Sequence, residues 1–357
     1  MKIIIKVGTQ SILSHDGVPI ESVMQDLVKQ IADLQKMGHH VILVSSGAVS
    51  SGRKVARQLL GREYGTSTAE KQVLASLGQH ELMHLYAQLF RSHNILVSQL
   101  LLTKQDFQTR QHYLNIARLL REIVQHKNIV PILNENDTVA IEELMFTDND
   151  ELAGLIAVQM GADKLIILSD VEGVYTGHPS EPNACLIPVI DPHIGWPDIS
   201  VAKSTHGRGG MISKVNTAQK MSGLGITTHI ASIKQAQVIL RILQNEPVGT
   251  MILPAKKKSS IKRWMAYSAN QQNGSISINP CLLHILQENK RIISILPVGI
   301  ETCAGDFKKG DLVEILSPEG KKIGIGIARY DAAKLNEYCG QKDKPEFIHY
   351  DHLHILL

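Results

Sequence analysis

The sequence has no paired cysteines, no apolar stretch long enough to cross a membrane, and little net charge. Its four cysteines, Cys185, Cys281, Cys303 and Cys339, lie far apart and form no CxxC pair, so neither a zinc site nor a disulfide framework is expected. No window approaches the roughly 18 to 20 apolar residues that a membrane span needs. The start, Met1-Lys2 followed by the short run Ile3 to Ile5, lacks the long apolar segment and small-residue cleavage site of a secretion signal. A soluble, cytoplasmic protein with no membrane partner is the expectation. The formal charge is +3, and residues 251–357 hold the whole excess, 15 Lys/Arg against 11 Asp/Glu. Such an excess is an ordinary solvated surface that still leaves room for a polyanionic partner. Neither a Walker A loop nor GxGxxG occurs.

What is present is the pattern of an α/β protein. The 357 residues, 43% hydrophobic and 20% charged, suffice for a full α/β core and a second domain. Short β-branched runs at Ile3 to Val7, Val41 to Val44, Ile95 to Val97, Ile129 to Leu133, Leu165 to Leu168 and Ile226 to Ile230 read as buried strands. Helical periodicity lies between several of them. It is clearest in Ile20, Val23, Leu27, Ile31, Leu34 and Met37, with Gly38 as its C-cap. Alternation of this kind predicts a mostly parallel sheet sandwiched by helices. Residues 1–253 form the expected catalytic domain, 254–273 a linker, and 274–357 a small glycine-punctuated β-barrel or sandwich.

Ligands of such sheets bind at the carboxyl ends of the strands. The segments there are small and polar: Gly8-Thr9-Gln10-Ser11, Ser45-Ser46-Gly47-Ala48, Asn134-Glu135-Asn136-Asp137 and Ser169-Asp170. Lys6 interrupts an otherwise apolar first strand, a costly burial unless the ammonium meets an anion. The cluster Gly207-Arg208-Gly209-Gly210-Met211-Ile212-Ser213-Lys214 leads into a helical segment running to about Met221. Glycine-exposed amides at a helix N-terminus, with Lys214 one turn in, suit a phosphate; a plain flexible loop is the bland alternative. Thr147-Asp148-Asn149-Asp150 precedes another helix and also reads as an N-cap cluster. His80-Glu81-Leu82-Met83-His84 matches HExxH, a zinc-protease pattern. Leu77, Leu82, Leu85 and Leu89 on the same helix favour surface histidines on a structural element instead, and no later segment completes a protease signature.

Taken in order, KVGTQSIL, HHVILVSSGAVSSGR, IVPILNENDTVA, TDNDELAGLIA, GADKLIILSDVEGVYT and GRGGMISKVNTAQ resemble the amino acid kinase family, and within it the branch that phosphorylates free glutamate. These segments span nearly all of residues 1–250. The tail, ILPVGIETCAGDFKKGDLVEI followed by GKKIGIGIARY, resembles a PUA domain. The resemblance implies ATP-dependent conversion of L-glutamate to L-glutamyl 5-phosphate, the first step of proline biosynthesis, with ATP and Mg2+ as cofactors. It implies that Lys6 and Lys214 contact the transferring phosphoryl group and that Asp150 orients them. Ser46, Asp137 and Asn149 would hold glutamate, with Gly47, Asn134 and Asp148 close by. The nucleotide would meet Lys6, Ser169, Asp170, Arg208, Gly209, Gly210, Met211, Ile212, Ser213 and Lys214. Magnesium ligands are not identified. Arg208 stands where relatives commonly carry a small residue, often Thr, and Gln10 where Ser is common.

The chemistry agrees with that allocation. A carboxylate acceptor is already ionised at neutral pH and is itself the nucleophile, so no general base is required. Alignment and positive charge around the phosphoryl oxygens are what the site must supply. The resemblance further implies proline as feedback inhibitor and a homo-oligomer, dimer or tetramer. The alternatives are relatives with another acceptor, acetylglutamate, aspartate, carbamate or a nucleoside monophosphate, and RNA binding through the PUA-like tail.

Overall fold

The computed structural model describes residues 1–14, 16–107, 110–139, 146, 148–197, 210–255, 274–288 and 293–355. Its contacts divide the chain into two compact units, Met1–Phe107 with Leu114–Lys257, and Gln108–Tyr113 with Lys258–Leu357. Most of the expected linker, from residue 256 to 273, lies outside the described residues.

In the larger unit the six runs read as strands are β1 (Lys2–Val7), β2 (His40–Ser45), β3 (Leu96–Leu102), β4 (Ile129–Glu135), β5 (Lys164–Ser169) and β7 (Thr227–Ser232). Two more, β6 (Val189–Ile190) and β8 (Thr250–Ile252), escaped sequence reading because so short a run carries no period. The sheet order is β3-β4-β2-β1-β5-β7-β8-β6. From β3 to β7 every pairing is parallel; β8 then runs antiparallel to β7, with β6 parallel to β8. The mostly parallel sheet expected from the alternation of runs is therefore present.

The helices are α1 (Thr9–Ile12), α2 (Glu21–Lys36), α3 (Ala48–Leu60), α4 (Thr68–Arg91), α5 (Arg110–Gln125), α6 (Asn149–Met160), α7 (Met211–Gly223) and α8 (Val238–Leu243). Ile20 caps α2 and Met37 ends it; Gly38 follows at φ +83°, as its C-terminal position required. On one face of the sheet, Ile3, Ile5 and Val7 of β1 share a core with α2, α4 and α8 through Leu27, Ile31, Leu82, Tyr86 and Ile239. Side chains alternate along a strand, so Ile4 and Lys6 point to the opposite face. There α6 lies along β1, β2, β4 and β5, apolar almost all round and buried from Leu152 to Met160.

Strand register sets the level of the site. Lys6 lies opposite Val44 and Ile167, and Val44 in turn opposite Leu133. The four polar strand ends consequently emerge side by side at one edge.

A close helix pair flanks that edge. A Cβ added at Gly52 of α3 would sit 1.9 Å from Leu74 O, and one added at Gly78 of α4 would sit 1.8 Å from Ala48 O. Only glycine lets these backbones meet. HExxH falls on α4, where the His80 and His84 rings stack with centroids 6.5 Å apart and the His80 side chain is 81% exposed. Among the described residues no group of three or more His, Cys, Asp or Glu side chains is placed to hold a metal ion. The surface-histidine reading fits this placement.

The smaller unit holds β9 (Gly274–Ile278), β10 (Ile300–Gly305), β11 (Leu312–Leu316), β12 (Lys322–Ile327) and β13 (Leu353–Ile355) in the order β10-β9-β11-β12-β13. Its pairings are antiparallel except β9 with β11. Ile276, Ile278, Phe307, Val313, Ile315, Phe347 and Ile348 form its own core. Short helices at Pro280–Glu288 and Ala332–Tyr338 were not foreseen. Among the described residues no helix is long and apolar enough to cross a membrane.

Gly78→Ala should destabilise the protein by on the order of 3 kcal/mol, because backbone must move to admit the methyl group. Chemical denaturation would measure it, and a change within 0.5 kcal/mol would show that the α3–α4 approach is slack.

Candidate functional site

At the strand edge three charges meet out of water. Lys6 Nζ forms an ion pair with Asp150 Oδ1 at 2.7 Å, and Lys214 Nζ donates to Asp150 Oδ2 at 3.1 Å. Lys6 is 5% exposed, Lys214 6% and Asp150 0%. Each comes from a different element: Lys6 from β1, Asp150 from the first turn of α6, Lys214 from the first turn of α7. Burial alone would raise the Asp150 carboxyl, but the two ammonium groups hold it below its ordinary value. Two ammonium groups are thereby held side by side at the strand ends, with the Asp148 carboxyl close enough to Lys6 to feel its charge.

Asp148 caps α6, its Oδ1 accepting from the amides of Asp150 at 2.8 Å and Glu151 at 3.1 Å. The N-cap reading of this cluster is thus correct for Asp148, while Asp150 and Asn149 turn inward. The Asp148 carboxyl is pushed up, first by burial and then by the Asp150 charge, against the pull of the Ser213 hydroxyl and Lys6.

Beside the charges lies a chain of amides. Asn149 Nδ2 donates to Ser46 Oγ at 2.6 Å and to Asn134 Oδ1 at 2.9 Å. Asn149 Oδ1 is buried without a hydrogen-bond partner among the described residues, an acceptor that a ligand N–H would satisfy. Ser46 follows β2, and Gly47 after it caps α3 at φ +120°, a conformation that favours glycine. Sequence reading did not find Gln79, whose Oε1 accepts from Asn134 Nδ2 at 2.9 Å. Nor did it single out Glu135, whose Oε1 accepts from the Phe146 amide at 2.7 Å and so ties the chain just before α6 to β4. A lone Gln inside an amphipathic helix and a Glu at a strand end carry no pattern of their own.

The remaining positions are placed as follows. Asp137 is half-buried in the turn after β4, and Asn134 is buried at the end of that strand. Ser169 ends β5, buried, and its Oγ donates to the exposed Asp170 at 3.0 Å. Gly210 caps α7, which begins with Met211, Ile212 and Ser213 before Lys214. Thr147, Arg208 and Gly209 lie outside the described residues. Gly8 sits at the mouth of β1, where an added Cβ would be 3.7 Å from Lys6 Nζ.

This geometry is accompanied by extensive similarity. The profile of the amino acid kinase family matches residues 1–232, and that of the PUA domain residues 288–345. The chain is similar to a glutamate 5-kinase of Bacteroides thetaiotaomicron, 41% identical over 99% of this chain and 98% of the relative. It is similar to another from Chlorobaculum tepidum, 44% identical over 99% of this chain and 97% of the relative. A UMP kinase structure from Bacillus anthracis superposes with a TM-score of 0.49 at 17% identity, covering 71% of this chain and 96% of that one.

Asp150→Asn should cost about 3 to 5 kcal/mol at pH 7, since it leaves two buried ammonium groups facing a neutral amide. The wild-type carboxyl titrates below its ordinary 3.8, so its contribution is present above that pH and lost as pH falls through the folded value. The deficit of the variant, read by urea denaturation, should therefore hold from pH 7 down to about 4 and shrink only below it.

Proposed function

The chain belongs to the amino acid kinase family, among its glutamate 5-kinases, and from that premise we propose how the site performs the transfer. The reaction is ATP-dependent phosphorylation of the L-glutamate side-chain carboxylate to L-glutamyl 5-phosphate, the entry to proline biosynthesis. The observation that carries the mechanism is the buried Lys6–Asp150–Lys214 cluster, which holds two ammonium groups side by side.

Two anions must approach each other in this reaction, the glutamate carboxylate and the γ-phosphoryl group. Lys6 and Lys214 supply positive charge on the phosphoryl oxygens, and Asp150 holds both ammonium groups in place before substrate arrives. No side chain needs to take a proton, because the attacking carboxylate is ionised at neutral pH. The amides at the start of α7, with Gly210, Met211, Ile212 and Ser213, face nucleotide phosphates, as would Arg208 and Gly209; Ser169 and Asp170 lie at the nucleotide. Magnesium would travel with the nucleotide phosphates and add positive charge there.

Glutamate is held at the neighbouring strand ends. Ser46 and the Gly47 amide donate to its α-carboxylate, Asp137 accepts from its α-ammonium group, and Asn149 joins them, with Asn134 and Asp148 behind. The boundaries 1–253, 254–273 and 274–357, inhibition by proline and self-association into dimers or tetramers belong to the same reading, as does a cytoplasmic location.

The test is a substrate profile with Mg-ATP and hydroxylamine as trap. Glutamate should give the hydroxamate; reaction only with aspartate or acetylglutamate would overturn the acceptor. Lys214→Ala should lower kcat by about a hundredfold or more, through loss of transition-state charge stabilisation, whereas Ser46→Ala should act mainly on the glutamate KM. An unchanged kcat in the lysine variant would remove its role.

A further inference from the structure

We propose that Gln79, on α4, is a positioning residue that sets the direction of the Ser46 hydroxyl proton through a relay of two asparagine amides. The proposal deepens the glutamate site and rests on that reading.

The direction of each amide in the relay follows from a backbone group. The Glu135 N–H donates to Asn134 Oδ1 at 2.9 Å, and a backbone amide can only donate. That identifies the Asn134 oxygen, so its Nδ2 must face Gln79, and the Gln79 atom 2.9 Å away must be the acceptor Oε1. Asn134 Oδ1 then accepts a second hydrogen bond, from Asn149 Nδ2 at 2.9 Å. The same Asn149 Nδ2 donates to Ser46 Oγ at 2.6 Å. With a lone pair of Ser46 Oγ engaged in accepting, its O–H is left to donate. A hydroxyl so arranged directs its proton toward an acceptor such as a carboxylate.

Gln79 reaches this position because of its neighbour. Gly78 allows α4 to touch α3 at the carbonyl of Ala48, the first residue after the Gly47 cap, which brings the buried Gln79 amide to the end of β4. Buried polar groups connected in this way are costly to leave half-made. Loss of the acceptor at 79 leaves the buried Asn134 Nδ2 without its acceptor, so the side chain must shift to find another and draws Oδ1 away from Asn149 Nδ2. Asn149 would release Ser46, and the hydroxyl would lose its enforced direction.

The experiment compares steady-state kinetics of Gln79→Met, Gln79→Glu and Asn134→Leu in the full chain, after the wild type has been shown to form the hydroxamate from glutamate. Failure of that first step would count against the acceptor assignment, not the relay. Gln79→Met keeps the bulk and removes the acceptor, and should raise the glutamate KM about tenfold with the ATP KM and kcat within about twofold. Gln79→Glu retains an acceptor for Asn134 Nδ2 in either protonation state and should recover most of that loss. Asn134→Leu, which keeps the bulk but removes the amide in the middle of the relay without disturbing α4, should reproduce the selective rise even if the Met variant does not fold. A glutamate KM within twofold of wild type in the folded variants would overturn the relay. So would a joint change in both KM values and kcat, the mark of a merely structural role.

Discussion

The structure turns on the burial of Asp150 between two lysines. Asp150 is fully buried, yet the ammonium groups at 2.7 and 3.1 Å keep its carboxyl below the ordinary carboxylate range. Neither lysine has water to fall back on, so the three side chains fix the relative placement of β1, α6 and α7. Those elements are 64 residues or more from one another along the chain where they meet, as the Asp150–Lys214 separation shows. The ion cluster is thus a clasp between distant segments, and in the mechanism proposed above its two ammonium groups face the phosphoryl oxygens.

Beside it lies a run of neutral polar groups, part of the site we propose for glutamate. Ser46, Asn149 and Asn134 come from β2's end, α6 and β4, and are joined by hydrogen bonds of 2.6 to 2.9 Å. Asp148 meanwhile spends its Oδ1 on the first amides of α6. Three consecutive residues therefore do three different things: Asp148 caps the helix, Asn149 bonds Ser46 and Asn134, and Asp150 clamps the two lysines. That division follows from helix geometry, because successive residues in the first turn point about 100° apart.

Much of this was legible in residue order. The six longer strands, the caps at Gly38 and Gly210, and the polarity of four strand ends all have local causes: β-branched runs, glycine at helix termini and side chains too polar for a core. Lys6 announced itself as the one charge in the apolar run from Ile3 to Val7. The two-residue and three-residue strands β6 and β8 did not, since a ladder of that length is decided by its neighbours. Gln79 was equally silent. On its helix it is one polar residue among many, and its meaning comes from an approach permitted by Gly78 and from Asn134 on another element.

Sequence alone therefore determined the longer elements of the larger unit, their alternation and the family, because periodicity, capping and motif order are properties of neighbours in the chain. Tertiary structure decided which side chains meet: that Lys6 and Lys214 share Asp150, that Asp148 caps while Asn149 reaches Ser46, and that Gln79 closes the amide relay. The reason is physical. Ion pairs and hydrogen bonds act over about 3 Å, and only the stacking of α3 on α4 and of α6 and α7 on the sheet brings residues tens of positions apart within that reach.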